Sequence, residues 1–315
     1  MYEKFYGFKE KPFNITPDPK FLYFSETHKE ALAYLRYAIK EGTGFSVITG
    51  EVGTGKTTLV HALLNEIDGT VRTAYIFNPV MAPEDFLNYI CEDLGLKSGG
   101  VKSHGQNLAS LHNFLLSCYT ENKRVFLIID EAQSLDTKLL EEVRLLTNLE
   151  TSTNKLLHVI LLGQPELNKT LSDERFRALK QRITIRFNLR TLNLADTKEY
   201  ILHRLKKAGA RNLSLFNESA IKEIYKYSTG IPRVINIVCD NALVTGYSKE
   251  QRRIGKPIIE EVIKDLEGPG ATKKRRLLPT LLLIIIPLLC VLFVISLLFI
   301  NPAQTWHYLK IFNAK

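Results

Sequence analysis

The chain has 315 residues and a formal net charge of +9, with 45% hydrophobic and 24% charged residues. This balance is ordinary for a globular protein and excludes a fibrous or low-complexity chain, and the length predicts one or two domains with additional segments. The positive charge is compatible with nucleic acid, with anionic lipid, or with solubility alone. The four cysteines form no C-x-x-C pair, so we expect reduced thiols and neither a disulfide framework nor a zinc site.

The first 42 residues are predicted to form an arm and a helix. Residues 2–24 mix aromatic side chains with prolines, which is typical of an irregular segment packed on the domain that follows. A helix is predicted from residue 26 to about residue 40, ended by Gly42. The start of the chain lacks the apolar run of a signal peptide.

Residues 50–57 fit G-x-x-x-x-G-K-[ST], the pattern of a phosphate-binding loop. The apolar run 45–49 predicts a buried strand before the loop, and residues 58–65 predict a helix after it. Glycines let backbone N–H groups approach phosphate oxygens, and the start of the helix adds partial positive charge. A glycine-rich turn with a surface lysine is the alternative. We predict that ATP is bound by Gly50, Glu51, Val52, Gly53, Thr54, Gly55, Lys56, Thr57 and Thr58. Lys56 is expected to contact the β and γ phosphates, and the Thr57 hydroxyl to hold Mg²⁺.

The next elements lead to two adjacent carboxylates. A strand is predicted at 72–77, and helices at 83–95 and 108–119. Five apolar residues at 125–129 then predict a buried strand, followed by Asp130 and Glu131. Ligands bind at the carboxyl ends of strands in open α/β sheets. Asp130 is expected to bind Mg²⁺, and Glu131 to be the base that polarises the attacking water. The alternative is a strand that ends in a solvated acidic turn.

A helix at 136–149 and a strand at 156–162 precede Gln164. This glutamine lies where a polar side chain could contact the γ-phosphate or the attacking water. A turn glutamine bonded to local backbone is an equally good interpretation.

A basic segment follows, with a helix predicted at 171–182 and a strand at 183–189. Its cations are Arg175, Arg177, Lys180, Arg182 and Arg186. Such a run is usually a solvated face. An arginine just before the last strand is, however, where an assembling ATPase would place a finger for the γ-phosphate of its neighbour. Arg182 is our first candidate and Arg177 our second.

From residue 194 the pattern becomes helical. Helices are predicted at 195–208, 217–229, 232–247 and 257–266. Arg233, at the start of the third, could contact the bound nucleotide, although an exposed first-turn arginine is the plainer interpretation. The predicted divisions are an arm and helix at 1–42, an ATPase core at 43–190, a helical lid at 191–267 and a basic linker at 268–276.

Residues 277–300 carry no charge and are almost uniformly apolar. At ~1.5 Å per residue this segment would span about 36 Å, enough for a hydrocarbon core of ~30 Å. Four basic residues at 273–276 precede the apolar segment. In the tail 301–315 the only lysine or arginine residues are Lys310 and Lys315. The positive-inside rule then predicts a single transmembrane helix, with the large amino-terminal part in the cytoplasm and a short extracytoplasmic tail.

Together these motifs resemble the AAA+ ATPases of the ExeA/GspA secretion group. The similar stretches are residues 8–13, 16–19, 50–58, 129–133, 144–151, 163–167, 181–183 and 230–236. The resemblance extends over residues 2–266. It implies a P-loop AAA+ core with a five-stranded parallel sheet and helices on both faces, followed by a helical lid. It also implies sensor roles for Gln164 and Arg233. A homo-oligomer is expected because the arginine finger would act on the γ-phosphate of a neighbour.

The resemblance implies a place in a bacterial secretion or pilus machine at the inner membrane, with a GspB-like partner. Relatives usually continue into a periplasmic peptidoglycan-binding domain. Only residues 301–315 follow the apolar segment here, so we do not carry over binding to the cell wall.

Two other functions stay open from the sequence. The same core occurs in DNA-associated AAA+ proteins of the origin-recognition and transposition-targeting types, but no appended DNA reader is recognisable. Titration of duplex DNA against residues 1–266 at several salt concentrations separates this class. A nucleotide-gated scaffold with little turnover is the third hypothesis, and the intact pair of Asp130 and Glu131 argues against it.

Overall fold

A computed structural model of the chain describes residues 1–16, 18–96 and 103–268. Its sheet is parallel throughout, in the order β2-β3-β4-β1-β5. The strands are β1 (Phe45–Gly50), β2 (Val71–Ile76), β3 (Arg124–Ile129), β4 (Leu157–Gly163) and β5 (Ile183–Leu189). Because the strands are parallel, the carboxyl ends of β1, β4 and β3 lie side by side at one edge.

The described helices surround this sheet and then continue into a helical segment. They are α1 (Tyr2–Tyr6), α2 (Glu26–Glu41), α3 (Lys56–Leu64), α4 (Pro83–Asp93), α5 (His104–Thr120), α6 (Thr137–Leu146), α7 (Glu166–Thr170), α8 (Arg177–Lys180), α9 (Leu194–Lys207), α10 (Glu218–Ser228), α11 (Pro232–Ser248) and α12 (Lys256–Glu267).

The central strands are buried on both faces, which explains their continuous apolar sequence. Along β1, Val47 packs in a core with side chains of α4, α5 and α6, whereas the adjacent Ile48 packs with α2 and α3. This alternation follows from the two-residue period of a strand. The α/β class, the five-stranded parallel sheet and the helices on both faces are therefore confirmed.

A third core lies among the helices that follow β5. Side chains of α9, α10, α11 and α12 form it together with Tyr2, Phe8 and Phe13 from the start of the chain. We call α9–α12 the helical lid and residues 1–24 the arm. Contacts divide the chain into Met1–Ile263 and Lys264–Lys315. The sheet, the arm and nearly all of the lid belong to the first unit, and the last turn of α12 belongs to the second.

Two helix predictions differ from the structure by the largest margin. The predicted helix at 171–182 is wrong: a 3₁₀ turn at Glu174–Phe176 leads into the short α8. Asp173 starts that turn because its side chain accepts a hydrogen bond from the backbone N–H of Arg175, at 3.0 Å. Helix α5 begins four residues earlier than predicted, after a capping box formed by Ser103 and Gln106.

Among residues 1–16, 18–96 and 103–268, no helix has the length and apolar character needed to cross a membrane. The predicted transmembrane segment 277–300 lies outside the described residues, as do most of the basic linker and the tail 301–315.

Candidate nucleotide-binding site

The phosphate loop connects the end of β1 at Gly50 to the start of α3 at Lys56. Gly53 and Gly55 have φ angles of 80° and 99°, in the region that favours glycine. A Cβ on Gly50 would lie 2.8 Å from the carbonyl oxygen of Leu189. Residues with side chains would therefore strain the loop or displace β5.

Lys56 is only 5% exposed. Its Nζ donates hydrogen bonds to the carbonyl oxygens of Gly50 at 2.8 Å and Glu51 at 3.1 Å. Burial lowers the pKa of Lys56, while Glu131 and Asp130 act in the opposite direction. Within the described residues the ammonium forms no ion pair with a carboxylate. A buried ammonium group beside a loop whose backbone N–H groups can donate hydrogen bonds fits an anionic phosphate ligand.

Asp130 directly follows β3 and is buried. Its Oδ2 accepts a hydrogen bond from the Thr57 hydroxyl at 2.5 Å and another from the Tyr75 hydroxyl at 3.2 Å. Its Oδ1 accepts the backbone N–H of Glu131 at 2.8 Å. Burial and the nearby Asp130 raise the pKa of Tyr75, which keeps that hydroxyl a donor. Carboxylate and hydroxyl oxygens in contact are the hard ligands that Mg²⁺ prefers.

Glu131 has a φ angle of 50°, which is unusual for a residue with a side chain. Its Oε2 accepts hydrogen bonds from Gln133 Nε2 at 2.5 Å and from Gln164 Nε2 at 3.4 Å. The backbone N–H of Gln164 donates to Gln133 Oε1 at 2.9 Å. Gln164, whose role the sequence left open, thus contacts the carboxylate predicted to be the base.

A cavity of about 500 Å³ opens onto the phosphate loop and Glu131. This volume lies within the range of small-molecule sites, ~300–1,000 Å³. Segments far apart in the chain line it: the arm, His28 of α2, the phosphate loop, Glu131 and the helical lid. The loop residues that face it are Val52, Gly53, Thr54, Gly55, Lys56, Thr57 and Thr58.

Arg233, in the first turn of α11, brings the lid onto the loop. Its backbone N–H donates to the carbonyl oxygen of Gly53 at 3.4 Å. A Cβ on Gly53 would lie 2.6 Å from the Cβ of Arg233. The Arg233 side chain lines the cavity, and in the described part of the chain its guanidinium has no hydrogen-bond or ion-pair partner.

His28, on α2, is a site residue that sequence reasoning missed. Its Nε2 lies 2.9 Å from the carbonyl oxygen of Thr54, and its Nδ1 lies 2.6 Å from Ser25 Oγ. Because a carbonyl can only accept, the proton belongs on Nε2 and Nδ1 accepts from the serine hydroxyl. Burial lowers the pKa of His28 and favours this neutral form. No local spacing signals the contact, since α2 precedes the loop by a full strand.

Arg182 lies away from these groups. Ile183, at the start of β5, pairs with Phe45 at the start of β1, so Arg182 is at the amino edge of the sheet. Its Nη1 donates to the carbonyl oxygen of Arg144 at 3.0 Å and to Thr147 Oγ1 at 2.6 Å. It also lines a second cavity of about 340 Å³.

Arg177 is exposed at the start of α8. Its side chain makes no hydrogen bond or ion pair with the described residues. Neither candidate finger lies in the cavity of its own chain, whereas the loop, Glu131 and Arg233 come together there. Asp130 is joined to this group through its hydrogen bond with Thr57.

Comparisons with known proteins agree with this arrangement. The family described as "AAA domain" matches residues 39–171. General secretion pathway protein A of Aeromonas hydrophila is 42% identical over 257 residues, which are 81% of this chain and 46% of that protein. The chain thus spans less than half the length of this relative.

Solved structures share the fold at low identity. The ORC2 protein of Aeropyrum pernix, in ADPNP and ADP complexes, gives a TM-score of 0.60 at 18% identity, covering 84% of this chain and 73% of that one. A chain of Drosophila ORC bound to DNA gives 0.64 at 16% identity, covering 82% and 65%. The chain therefore contains a P-loop AAA+ core, and its similarity to General secretion pathway protein A confirms the resemblance drawn from its motifs.

Proposed function

We propose that the chain binds Mg-ATP in the 500 Å³ cavity and hydrolyses it. The observation that carries this proposal is the meeting of four groups at one sheet edge. Lys56 is buried without a paired carboxylate, Thr57 is bonded to Asp130, and Glu131 lines the same cavity. The lid closes the cavity through Arg233, whose guanidinium is free among the described residues to contact phosphate.

The shape of the cavity suggests where each part of the nucleotide lies. The phosphates belong at the loop, where main-chain N–H groups and Lys56 supply positive potential. The base and ribose belong farther out, between the arm and the lid. Apolar side chains line that part of the cavity, among them Ile15, Leu22 and Leu192. They fit the flat face of a nucleobase.

The proposed reaction is attack of water on the γ-phosphorus, which breaks the bond to the β–γ bridging oxygen and releases ADP and inorganic phosphate. Glu131 would orient the water and accept its proton. Lys56 and Arg233 neutralise charge on the transferred phosphoryl group. Thr57 and Asp130 would hold Mg²⁺, which neutralises phosphate oxygens. Gln164, which follows β4, contacts Glu131, so its proposed sensor role acts through the base.

We further propose that the active form is a homo-oligomer in which a neighbour supplies the arginine finger. Arg182, with Arg177 second, lies outside the cavity of its own chain. A finger supplied by an adjacent copy contributes about 10³–10⁵ in rate in related phosphoryl-transfer systems. The isolated chain is therefore expected to turn over slowly.

The cellular setting is proposed from two observations. The similarity to General secretion pathway protein A supports a role in assembling or energising a secretion or pilus machine. The uncharged segment 277–300 after a basic cluster supports single-pass anchoring in the bacterial inner membrane, with the ATPase part in the cytoplasm. A GspB-like protein is the proposed partner, and binding to peptidoglycan is not carried over.

The substitution Glu131→Gln tests the assignment of the base. We expect the Kd for Mg-ATP to stay within about threefold of wild type while kcat falls by about 10²–10⁴, because the amide cannot accept the proton. Nucleotide titration and a steady-state phosphate-release assay measure the two quantities.

Glu166→Gln is the matched control, since Glu166 is exposed at the start of α7 and lines neither described cavity. Its kcat should equal that of wild type. Undiminished hydrolysis by the Glu131→Gln protein would reject the assigned base.

A further inference from the structure

Gln133 connects the proposed base to the end of the neighbouring strand. It lies in the 3₁₀ turn Ala132–Ser134 that follows β3. One end of its side-chain amide donates to Glu131 Oε2 at 2.5 Å, and the other end accepts from the backbone N–H of Gln164 at 2.9 Å. A single side chain thus spans the carboxyl ends of β3 and β4.

The chemistry of its partners fixes the orientation of this amide. A backbone N–H can only donate, so the Gln133 oxygen must face Gln164. The Gln133 nitrogen is then turned toward Glu131, where a carboxylate accepts it. Rotating the amide by 180° would oppose two donors on one side and two acceptors on the other. The direction of the hydrogen bond to Glu131 is therefore determined by the backbone N–H of Gln164, directly after β4.

The contact constrains one oxygen of the carboxylate and leaves the other available. Gln133 and Gln164 both donate to Glu131 Oε2. Among the described residues Oε1 has no hydrogen bond, and Glu131 lines the cavity. The backbone of Glu131 also has a φ angle of 50°, a conformation that persists only when its surroundings hold it. Gln133 supplies part of that restraint.

The absence of a side chain at Gly163 permits this arrangement. A Cβ there would lie 3.1 Å from Gln133 Oε1 and 2.8 Å from Leu167 Cδ2. The end of β4 is thus shaped to receive the Gln133 amide.

We propose that Gln133 is a positioning residue that holds the Glu131 carboxylate with Oε1 directed to the attacking water. Its hydrogen bond to the Gln164 backbone makes the position of the base depend on the loop that follows β4. This inference rests on the proposed ATPase function. Gln133 acts through Glu131 and is not expected to contact the nucleotide.

Two substitutions in the full-length protein separate positioning from structural support. Gln133→Met keeps the length of the side chain but removes both hydrogen bonds. Gln133→Glu keeps an acceptor for the Gln164 N–H and removes the donor to Glu131. Gln251→Met is the matched control, because Gln251 is exposed on the lid. Each protein is assayed for kcat, for the Kd of Mg-ATP, and for Tm.

Positioning predicts that kcat falls by roughly 10- to 100-fold in both Gln133 variants, since a misplaced catalytic group costs about this much. Kd should stay within about twofold of wild type, and Gln251→Met should match wild type throughout. In a Glu131→Gln background, Gln133→Met should reduce single-turnover hydrolysis no further, because the two residues act as one unit.

Near-normal kcat in the Gln133→Glu protein would overturn the inference. That variant keeps the hydrogen bond to the Gln164 backbone but has lost the one to Glu131, so Gln133 would then have only a structural role. An additional loss in the Glu131→Gln background would also overturn it. If wild type and Glu131→Gln hydrolyse ATP equally, the proposed function fails first and the inference fails with it. If Glu131→Gln abolishes turnover but Gln133→Met does not reduce it, the inference alone fails.

Discussion

At Gly53 the phosphate loop and the helical lid meet with no room for a side chain. The residue has a φ angle of 80°, and its carbonyl oxygen accepts the Arg233 backbone N–H. An added Cβ would lie 2.6 Å from the Cβ of Arg233, an atom fixed to the backbone of α11. A flexible side-chain end could move aside, but this atom can move only with the lid.

We therefore predict that Gly53→Ala weakens ATP binding by at least about tenfold, as expected when loop strain of about 1–3 kcal/mol adds to displacement of the lid. Titration with a fluorescent ATP analogue measures the affinity, and thermal unfolding checks that the protein stays folded. Gly69→Ala is the control, because an added Cβ at Gly69 meets nothing within 4 Å. Equal affinities for the two variants would show that loop and lid are not coupled at this point.

Among the secondary-structure elements, the arm and α9 share a buried arginine. Arg204 is 6% exposed, and its guanidinium donates to the carbonyl oxygens of Pro12 at 2.6 Å and Asn14 at 3.2 Å. It also donates to the Tyr200 hydroxyl at 2.9 Å and lies 4.9 Å from the centre of the Phe21 ring. The arm and Arg204 both line the cavity. Arg204 therefore shapes the part of the cavity where we propose that the nucleobase lies.

Arg204→Met should lower the free energy of unfolding by about 2–4 kcal/mol, because charge-assisted hydrogen bonds are lost and the buried carbonyl group of Pro12 is left unpaired. Urea unfolding gives the change in stability, and limited proteolysis should show faster cleavage within the arm. Arg211→Met provides the comparison, since Arg211 is exposed and its side chain makes no hydrogen bond or ion pair with the described residues. If the Arg204→Met and Arg211→Met proteins have the same free energy of unfolding, Arg204 does not stabilise the packing of the arm.

The elements that could be predicted are those whose local sequence determines them. The strand at 125–129, the glycine loop and the helix after Pro232 each carry a strong pattern of their own. The prediction of a helix at 171–182 is wrong because it followed the spacing of apolar residues and not the capping aspartate Asp173. The early start of α5 depends on a capping box, which the spacing of apolar residues does not indicate. Element type was therefore easier to infer than element boundaries.

The same limit applies to the site. The phosphate loop and the acidic pair are short motifs with fixed spacing, so the sequence alone predicts their residues. His28, Tyr75 and Gln133 contact the site from α2, β2 and a 3₁₀ turn, and only the tertiary fold brings them there. No pattern in the segments of His28 and Tyr75 distinguishes them from ordinary polar residues. Gln133 lies within the motif at 129–133, but the sequence assigned it no role.

For the whole molecule, the main consequence concerns the two edges of the sheet. Lys56 lies at the carboxyl edge and Arg182 at the amino edge of the same five strands. One chain therefore cannot bring its own Arg182 to its own loop without unfolding β5. If Arg182 acts on phosphate, it must do so in an adjacent copy.

This geometry predicts complementation between inactive chains. The Lys56→Ala and Arg182→Ala proteins should each be nearly inactive. Mixing them should restore part of the ATPase activity, because some interfaces then pair the intact loop of an Arg182→Ala chain with the intact finger of a Lys56→Ala chain. Phosphate release at increasing total protein measures the effect, and wild-type activity per chain should also rise with concentration. A mixture of Lys56→Ala with the double variant Lys56→Ala/Arg182→Ala should stay inactive.

Failure of the first mixture to recover activity would argue against a finger in trans at Arg182. The same design with Arg177→Ala then tests the second candidate.

The burial of Tyr2, Phe8 and Phe13 within the lid core also bears on how the protein is made. The Tyr2 hydroxyl is bonded to Asp240, 238 residues later, and Arg204 reaches Pro12 across 192 residues. At roughly 5–20 residues per second, a ribosome needs about 10–40 s to synthesise the stretch between Pro12 and Arg204. During that time the amino-terminal aromatic side chains lack their packing partners. Nascent chains should therefore expose an apolar segment that chaperones can bind.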